Sequence, residues 1–242
     1  MLTLLRKIRK SLIDHDSNSK LTSPILRYVL YASGEIALVV IGILIALQVN
    51  NWNESRIDKR YEKIFLHEIL DDLNVDKAEI AKVYERQEVQ MNMTKRCMDI
   101  LKEGIKDKSE FDSLFNGATM GNPTFFPKVG GYNSLLTQRG TNIIKDKVVL
   151  DHVTQLYEHF YDRIKTNGSL LDHRFTEMMN LKHEIYSNYE VSFLKEEWRD
   201  SEKTKSVLDY TYSIRQRVYF HLDYTLQEID KTIEVLMAYL NN

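Results

Sequence analysis

The chain has 242 residues, 28% of them charged and 43% hydrophobic, and its 33 Lys and Arg against 35 Asp and Glu leave a net charge of −2. That balance carries no basic footprint for nucleic acid. A single cysteine, Cys97, excludes an internal disulfide and a cysteine-based metal site.

Residues 1–27 form a basic segment with Arg6, Lys7, Arg9, Lys10, Lys20 and Arg27. Leu2, Leu5, Ile8 and Leu12 recur among these charges at helical spacing. The pattern fits either an amphipathic helix on an anionic leaflet or the ordinary charged flank of a membrane anchor. Residues 28–52 come next, and from Tyr28 to Val49 they read YVLYASGEIALVVIGILIALQV, the one long apolar run in the chain. As a helix the run rises roughly 33 Å, against a hydrocarbon core of about 30 Å, so the sequence predicts a transmembrane helix. A cleaved signal peptide fits poorly, because the run exceeds a typical h-region and Gln48, Asn50, Asn51 and Trp52 replace a small-x-small cleavage pattern. Beyond the run Arg56, Lys59, Arg60 and Lys63 are fewer than the basic residues before it. The N-terminus is therefore expected in the cytoplasm and the rest of the chain outside it.

Glu35 is the one acidic residue of the run, and an ionisable group inside a bilayer costs at least about 2.5 to 3.5 kcal/mol. Glu35, Gly42 and Ala46 share a helix face, and Gly42 with Ala46 makes a small-xxx-small pair that admits a second helix. Either that face packs in the membrane with Glu35 satisfied inside the contact, or the span begins near Ile36 and Glu35 sits at the headgroups. Trp52 is the outer interfacial anchor on the second reading.

Residues 53–242 are polar enough for an aqueous domain. From Asn53 to Glu103 there is neither Gly nor Pro, and Ile57, Tyr61, Ile64, Phe65, Ile69, Leu73, Ile80 and Tyr84 keep near-helical spacing, so one long helix ending at Gly104 is predicted. It could continue from the span as a stalk, with Asn50, Asn51 and Asn53 tolerating a bend. Its acidic residues Glu68, Asp71, Asp72 and Asp76 read as a solvated face. Residues 104–140 form an irregular insert, holding Gly104, Gly117, Gly121, Gly130, Gly131 and Gly140 with Pro123 and Pro127. Within it Phe125 and Phe126 either plug the core or, with Tyr132 and Arg139, present a partner or ligand surface.

Asp146 is a predicted N-cap, followed by Val149, Val153, Leu156, Tyr157, Phe160, Tyr161 and Ile164 on one face and a break at Gly168 before Leu170–Tyr189. The last helix carries a seam of Leu208, Tyr212, Arg215, Tyr219, Leu222, Leu226, Ile229, Ile233, Leu236 and Leu240 at alternating steps of four and three. Such a seam is one wall of an antiparallel bundle or a coiled-coil dimer interface, and the other amphipathic helices favour the bundle. With no sustained alternation of polar and apolar residues, the expected fold is all-α: one N-terminal transmembrane helix followed by an antiparallel helical bundle.

The seven histidines form no recognisable metal motif; His152 and His159 share a face but stand about 10 Å apart. No phosphate-binding glycine loop, nucleophile elbow or catalytic carboxylate pair stands out. No metal, cofactor or catalytic residue is expected.

GEIALVVIGILIALQVNNWNE, Gly34 to Glu54, together with GYNSLLTQRGTNIIKDKVVLDHVTQLYEHF, Gly131 to Phe160, resembles an uncharacterised bacterial family of single-span membrane proteins, a domain of unknown function. Arg139 departs from the smaller residue usual before the family's turn glycine. The resemblance implies a membrane-anchored helical protein of bacterial envelopes, and it brings no activity, ligand or catalytic residue; with the charge bias around the span, the expected location is the bacterial inner membrane with the helical domain in the periplasm. The leading expectation is an interaction or scaffold module whose partners are the lipid bilayer and either a second copy or another envelope protein. A ligand-sensing bundle acting through a partner is the alternative, and an enzyme the third.

Overall fold

A computed structural model describes residues 24–119, 121–186 and 194–241. The amphipathic segment predicted around Leu2–Leu12 lies outside the described residues. The fold is all-α: α1 (Pro24–Glu103), α2 (Lys108–Thr119), α3 (Gly130–Gln138), α4 (Lys147–Gln155), a π-helical stretch (Leu156–Tyr161), α5 (Asp162–Ile185) and α6 (Glu202–Leu240). Among the described residues strand-like pairing is limited to one isolated bridge, Tyr186 with Leu194. The chain divides into two units, Met1–Ile57 and Asp58–Asn242.

The first unit is the opening part of α1. Its apolar residues from Ile36 to Val49 are 47 to 65% exposed, and it is long and apolar enough to cross a membrane. In α1 helical conformation is unbroken through Asn50, Asn51 and Asn53, where a bend was conceivable. Gly104 stops the helix with φ +87, the left-handed conformation that a glycine adopts without a Cβ penalty.

In the second unit three long elements pack around one core. The pairs Glu62–Tyr239, Lys77–Asp230, Tyr84–Tyr219 and Gln87–Arg215 fall in opposite numerical order along α1 and α6, so the two helices are antiparallel. Glu62 with Lys145 and Asp76 with Tyr161 rise together, so the α4–α5 element runs parallel to α1. Leu66, Ile69, Leu73 and Ile80 of α1 meet Val153, Leu156 and Tyr161 and, from α6, Leu222, Ile229 and Leu236, all with essentially no exposure. At about 25 cal/mol per Å², these side chains are the dominant favourable term of the fold.

Asp146 caps α4, accepting from the amides of Val148 at 2.8 Å and Val149 at 3.0 Å, as the sequence predicts. Beyond it Val149, Val153, Tyr157 and Tyr161 are spaced by four, and in a straight α-helix each such step drifts about 40° around the axis. The π-helical stretch takes out that drift and keeps both tyrosines on the core side. Gly168 does not break the next helix. It is buried inside α5, where a Cβ would come within 3.3 Å of Thr124 Cγ2, so its role is to admit the crossing loop. The end predicted at Tyr189 falls outside the described residues; α5 is described to Ile185.

The α6 seam is corrected by one column. Leu208, Arg215, Leu222, Ile229, Ile233 and Leu236 are buried as expected, but Thr204, Thr211, Thr225 and Thr232, spaced at multiples of seven, are buried beside them, whereas Tyr212, Tyr219, Leu226 and Leu240 sit only half-buried. Thr225 and Thr232 donate to His221 O and Glu228 O of their own helix, which satisfies the hydroxyls and leaves a small side chain where helices meet.

A smaller second cluster holds Cys97, Ile100, Phe111, Phe115, Ile185, Leu194 and Leu208. Burial pushes the Cys97 thiol up to about 12, so it stays a protonated core group. The cluster is closed by Asp112, whose carboxylate accepts from Arg199 Nε at 2.9 Å, Arg199 Nη2 at 2.7 Å and the Leu194 amide at 3.1 Å. Both oxygens of the buried carboxylate are thus engaged, and charge pairing offsets its desolvation.

Candidate functional site

The predicted membrane face lies on the first unit. Glu35, Gly42 and Ala46 are all exposed on α1, and nothing stands within 4 Å of a Cβ built on Gly42. Trp52 is 66% exposed and Arg56 lies over its ring at 5.6 Å, a cation–π pair that gives the aromatic a charged rim.

The insert is a tethered loop. Its tether is part of the acidic side of α1: Glu68 and Asp71 are exposed as a solvated face requires, but Asp76 has no exposure and accepts from the Lys128 amide at 3.0 and 3.1 Å and from the Tyr161 hydroxyl at 2.7 Å. One turn earlier Asp72 accepts from the Gly131 amide at 2.9 Å. The Gly131 amide lies in the first turn of α3, where helical N–H groups need acceptors, so Asp72 takes the place of an ordinary cap, and Asp76, four residues on, holds the loop just before the helix. The approach is close enough to exclude a side chain at Gly131, since a Cβ would come 2.8 Å from Ile69 N and 2.9 Å from Glu68 C. Burial raises the Asp76 carboxyl above its ordinary 3.8, against the opposing effect of its hydrogen bonds to Tyr161 and Lys128.

Aromatic rings seal this tether. Tyr132 stacks on Tyr157 at 4.4 Å, Tyr157 meets Tyr161 edge-on at 5.1 Å, and Phe125 meets Tyr161 edge-on at 5.9 Å. The Tyr132 hydroxyl donates to Glu158 at 2.6 Å, while the buried Tyr157 hydroxyl has no partner. Burial and the nearby carboxylates hold the Tyr157 and Tyr161 phenols well above their ordinary range, so both stay neutral, Tyr161 as the donor to Asp76. Phe125 and Tyr132 are therefore core residues, and Phe126, 69% exposed, is the ring that faces outward. Arg139 lies at the far end of α3 with its guanidinium over the Tyr61 ring at 4.7 Å and Nη1 3.3 Å from Asp58; these contacts account for a long side chain before the turn at Gly140, whose φ is +76.

A second buried centre escaped the sequence reading because Arg215 sat in an apolar seam as its lone polar member. Arg215 donates to Gln87 Oε1 at 2.9 Å and to the carbonyls of Ala118 and Gly121 at 3.1 Å each, and Gln87 in turn donates to Pro123 O at 2.9 Å. The cation ties α6 to α1 and to the C-terminal carbonyls of α2, where the helix dipole is negative. Burial lowers its pKa to about 10. One side chain thus fixes the start of the loop, as Asp72 and Asp76 fix its end.

His152 Nδ1 lies 3.0 Å from Glu228, which also faces Lys231 at 3.4 Å, whereas His159 is exposed beside Phe160. A shallow cleft lined by Pro123, Thr124, Asn167, Gly168 and His221 has space of about 20 Å³, room for a single water, and it contains neither His152 nor His159. Among the described residues no three metal-ligating side chains converge.

These features define a class: an all-α protein with an exposed apolar helix of membrane-crossing length and a helical bundle whose buried polar groups position one loop. Over residues 35–204 the chain matches the model of DUF6090, a family of unknown function, and it belongs to that family. No curated protein and no solved structure matches it.

Proposed function

We propose that this chain is a membrane-anchored interaction module of a bacterial envelope: residues 28–52 cross the inner membrane, with the N-terminus cytoplasmic and the helical domain periplasmic, and the domain binds another envelope protein or a second copy of itself. The observation that carries this reading is the exposure of every large apolar side chain from Ile36 to Val49 in a chain whose other unit gathers many of its own into a buried core. Such a surface is stable in lipid and costly in water.

Two contacts follow from the geometry. In the membrane the Glu35, Gly42 and Ala46 face admits a second helix, and the open space around Gly42 makes Gly42→Leu a probe of association without an internal clash. Outside it, Phe126 offers a partner an aromatic ring held rigidly between buried Phe125 and the tethered Lys128. A reporter active only outside the cytoplasm, fused after Asn242, tests the topology. External activity is expected, and activity of a cytoplasm-only reporter in its place overturns the orientation. In-membrane crosslinking is expected to fall with Gly42→Leu, and unchanged crosslinking removes that face from the proposal.

A further inference from the structure

The second unit opens with the sequence DKRYEK, residues 58–63, nearly balanced in charge as written. Folding separates the signs. Asp58 pairs with Arg139 at 3.3 Å, and Glu62, 3% exposed, accepts from the Lys145 amide at 3.1 Å and the Tyr239 hydroxyl at 3.0 Å. Lys59, Arg60 and Lys63 are all exposed and make no ion pair among the described residues. Steps of three and four from positions 60 and 59 to 63 put the three cations on one face of the helix. The acidic residues that interleave them are used by the bundle, so what remains outside is a cluster of one sign.

We propose that Lys59, Arg60 and Lys63 are a basic collar that binds the headgroups of anionic phospholipids; this rests on the reading of residues 28–52 as a membrane span. The occupant follows from continuity along the chain and from charge. Lys59 comes only seven residues after Trp52 in the chain, and long Lys and Arg side chains extend their charge toward a nearby headgroup layer. Lipid phosphates supply anionic acceptors that Arg takes by paired hydrogen bonds and Lys as a point charge. Screening between exposed charges is strong, so the attraction is a low-salt effect.

The test uses the full chain carrying Trp198→Phe, which leaves Trp52 as the only tryptophan, reconstituted in phosphatidylcholine vesicles with 30% phosphatidylglycerol. In separate samples one lipid or the other carries bromine near the headgroup end of its acyl chains. Brominated phosphatidylglycerol is expected to quench Trp52 about twofold more per molecule than brominated phosphatidylcholine at low salt. That preference is expected to vanish in 0.5 M NaCl and in the Lys59→Gln, Arg60→Gln, Lys63→Gln variant. Equal quenching by the two lipids in the parent, or an undiminished preference in the triple variant, overturns the collar and leaves the anchor standing. No quenching by either lipid overturns the anchor reading itself.

Discussion

One helix, α1, obeys opposite rules in the two units. In the first, Ile36, Val39, Ile43 and Val49 point outward with more than half their surface open, and in the second, Glu62, Asp76, Gln87 and Thr94 point inward and are almost wholly covered. Apolar residues outside and polar residues inside would each be an error in a water-soluble helix. Each becomes reasonable when its surroundings are named: lipid for the first, under the proposed anchor, and backbone amides and carbonyls, two tyrosines and an arginine for the second. The teaching of the contrast is that polarity predicts burial only when the local solvent and the available hydrogen-bond partners are known.

The largest effect should come from the closed ion pair of the second cluster. Asp112→Ala leaves Arg199 without the carboxylate that neutralises it and is expected to cost about 3–5 kcal/mol, read as a lower urea midpoint of the full chain in detergent; a loss under about 1 kcal/mol would show that Glu196, the other partner of Arg199, carries the charge. Ile69→Ala sharpens the comparison directly, since the fully buried side chain should cost about 2–5 kcal/mol in the same measurement. Gly131→Ala forces a methyl against the Ile69 and Glu68 backbone and should cost about 1–3 kcal/mol, with α3 amides exchanging hydrogen faster.

Asp76 separates shape from charge. Asp76→Ala removes the acceptor of both Lys128 and Tyr161 and should cost about 1–3 kcal/mol, whereas Asp76→Asn keeps an oxygen in place and should cost less. The folded-state pKa is raised, so the folded chain holds this proton more tightly than the unfolded one. Its contribution is fully present below the ordinary 3.8 and is lost as pH rises through the raised value. The stability of Asp76→Asn relative to the parent should therefore increase as pH rises from about 4 to 7; a relative stability that falls over that range would reverse the assigned direction. At the small end, Ile43→Ala should shift the unfolding of the bundle by less than about 0.5 kcal/mol, because the side chain buries nothing inside the protein. A loss comparable with Ile69→Ala would mean that the run packs on protein.

The helical architecture was legible because it depends on local signals: the breaker-free stretch before Gly104, the Asp146 cap and the long seam of α6. The loop tether was not, because it depends on distant residues meeting. Nothing near Asp72 or Asp76 indicates that amides some fifty positions later will reach them. The threonine column of α6 left a trace, since Thr204, Thr211, Thr225 and Thr232 recur at multiples of seven, but a scan that counts only apolar residues passes over a hydroxyl that bonds to its own helix. Phe125 and Phe126 show the remaining limit: adjacent residues of one type are parted by backbone direction alone, one into the core and one out.

The π-helical turn at Leu156–Tyr161 behaves as an α-helix that has taken in one residue too many. Deleting a single residue there would let the ordinary hydrogen-bond ladder close, yet it would rotate everything downstream by about 100° and carry Ile164 and Gly168 off the surfaces they fit. The extra residue acts as a phase adjuster between two stretches of helix, so a relative that lacks it would have to compensate with a second length change before α6.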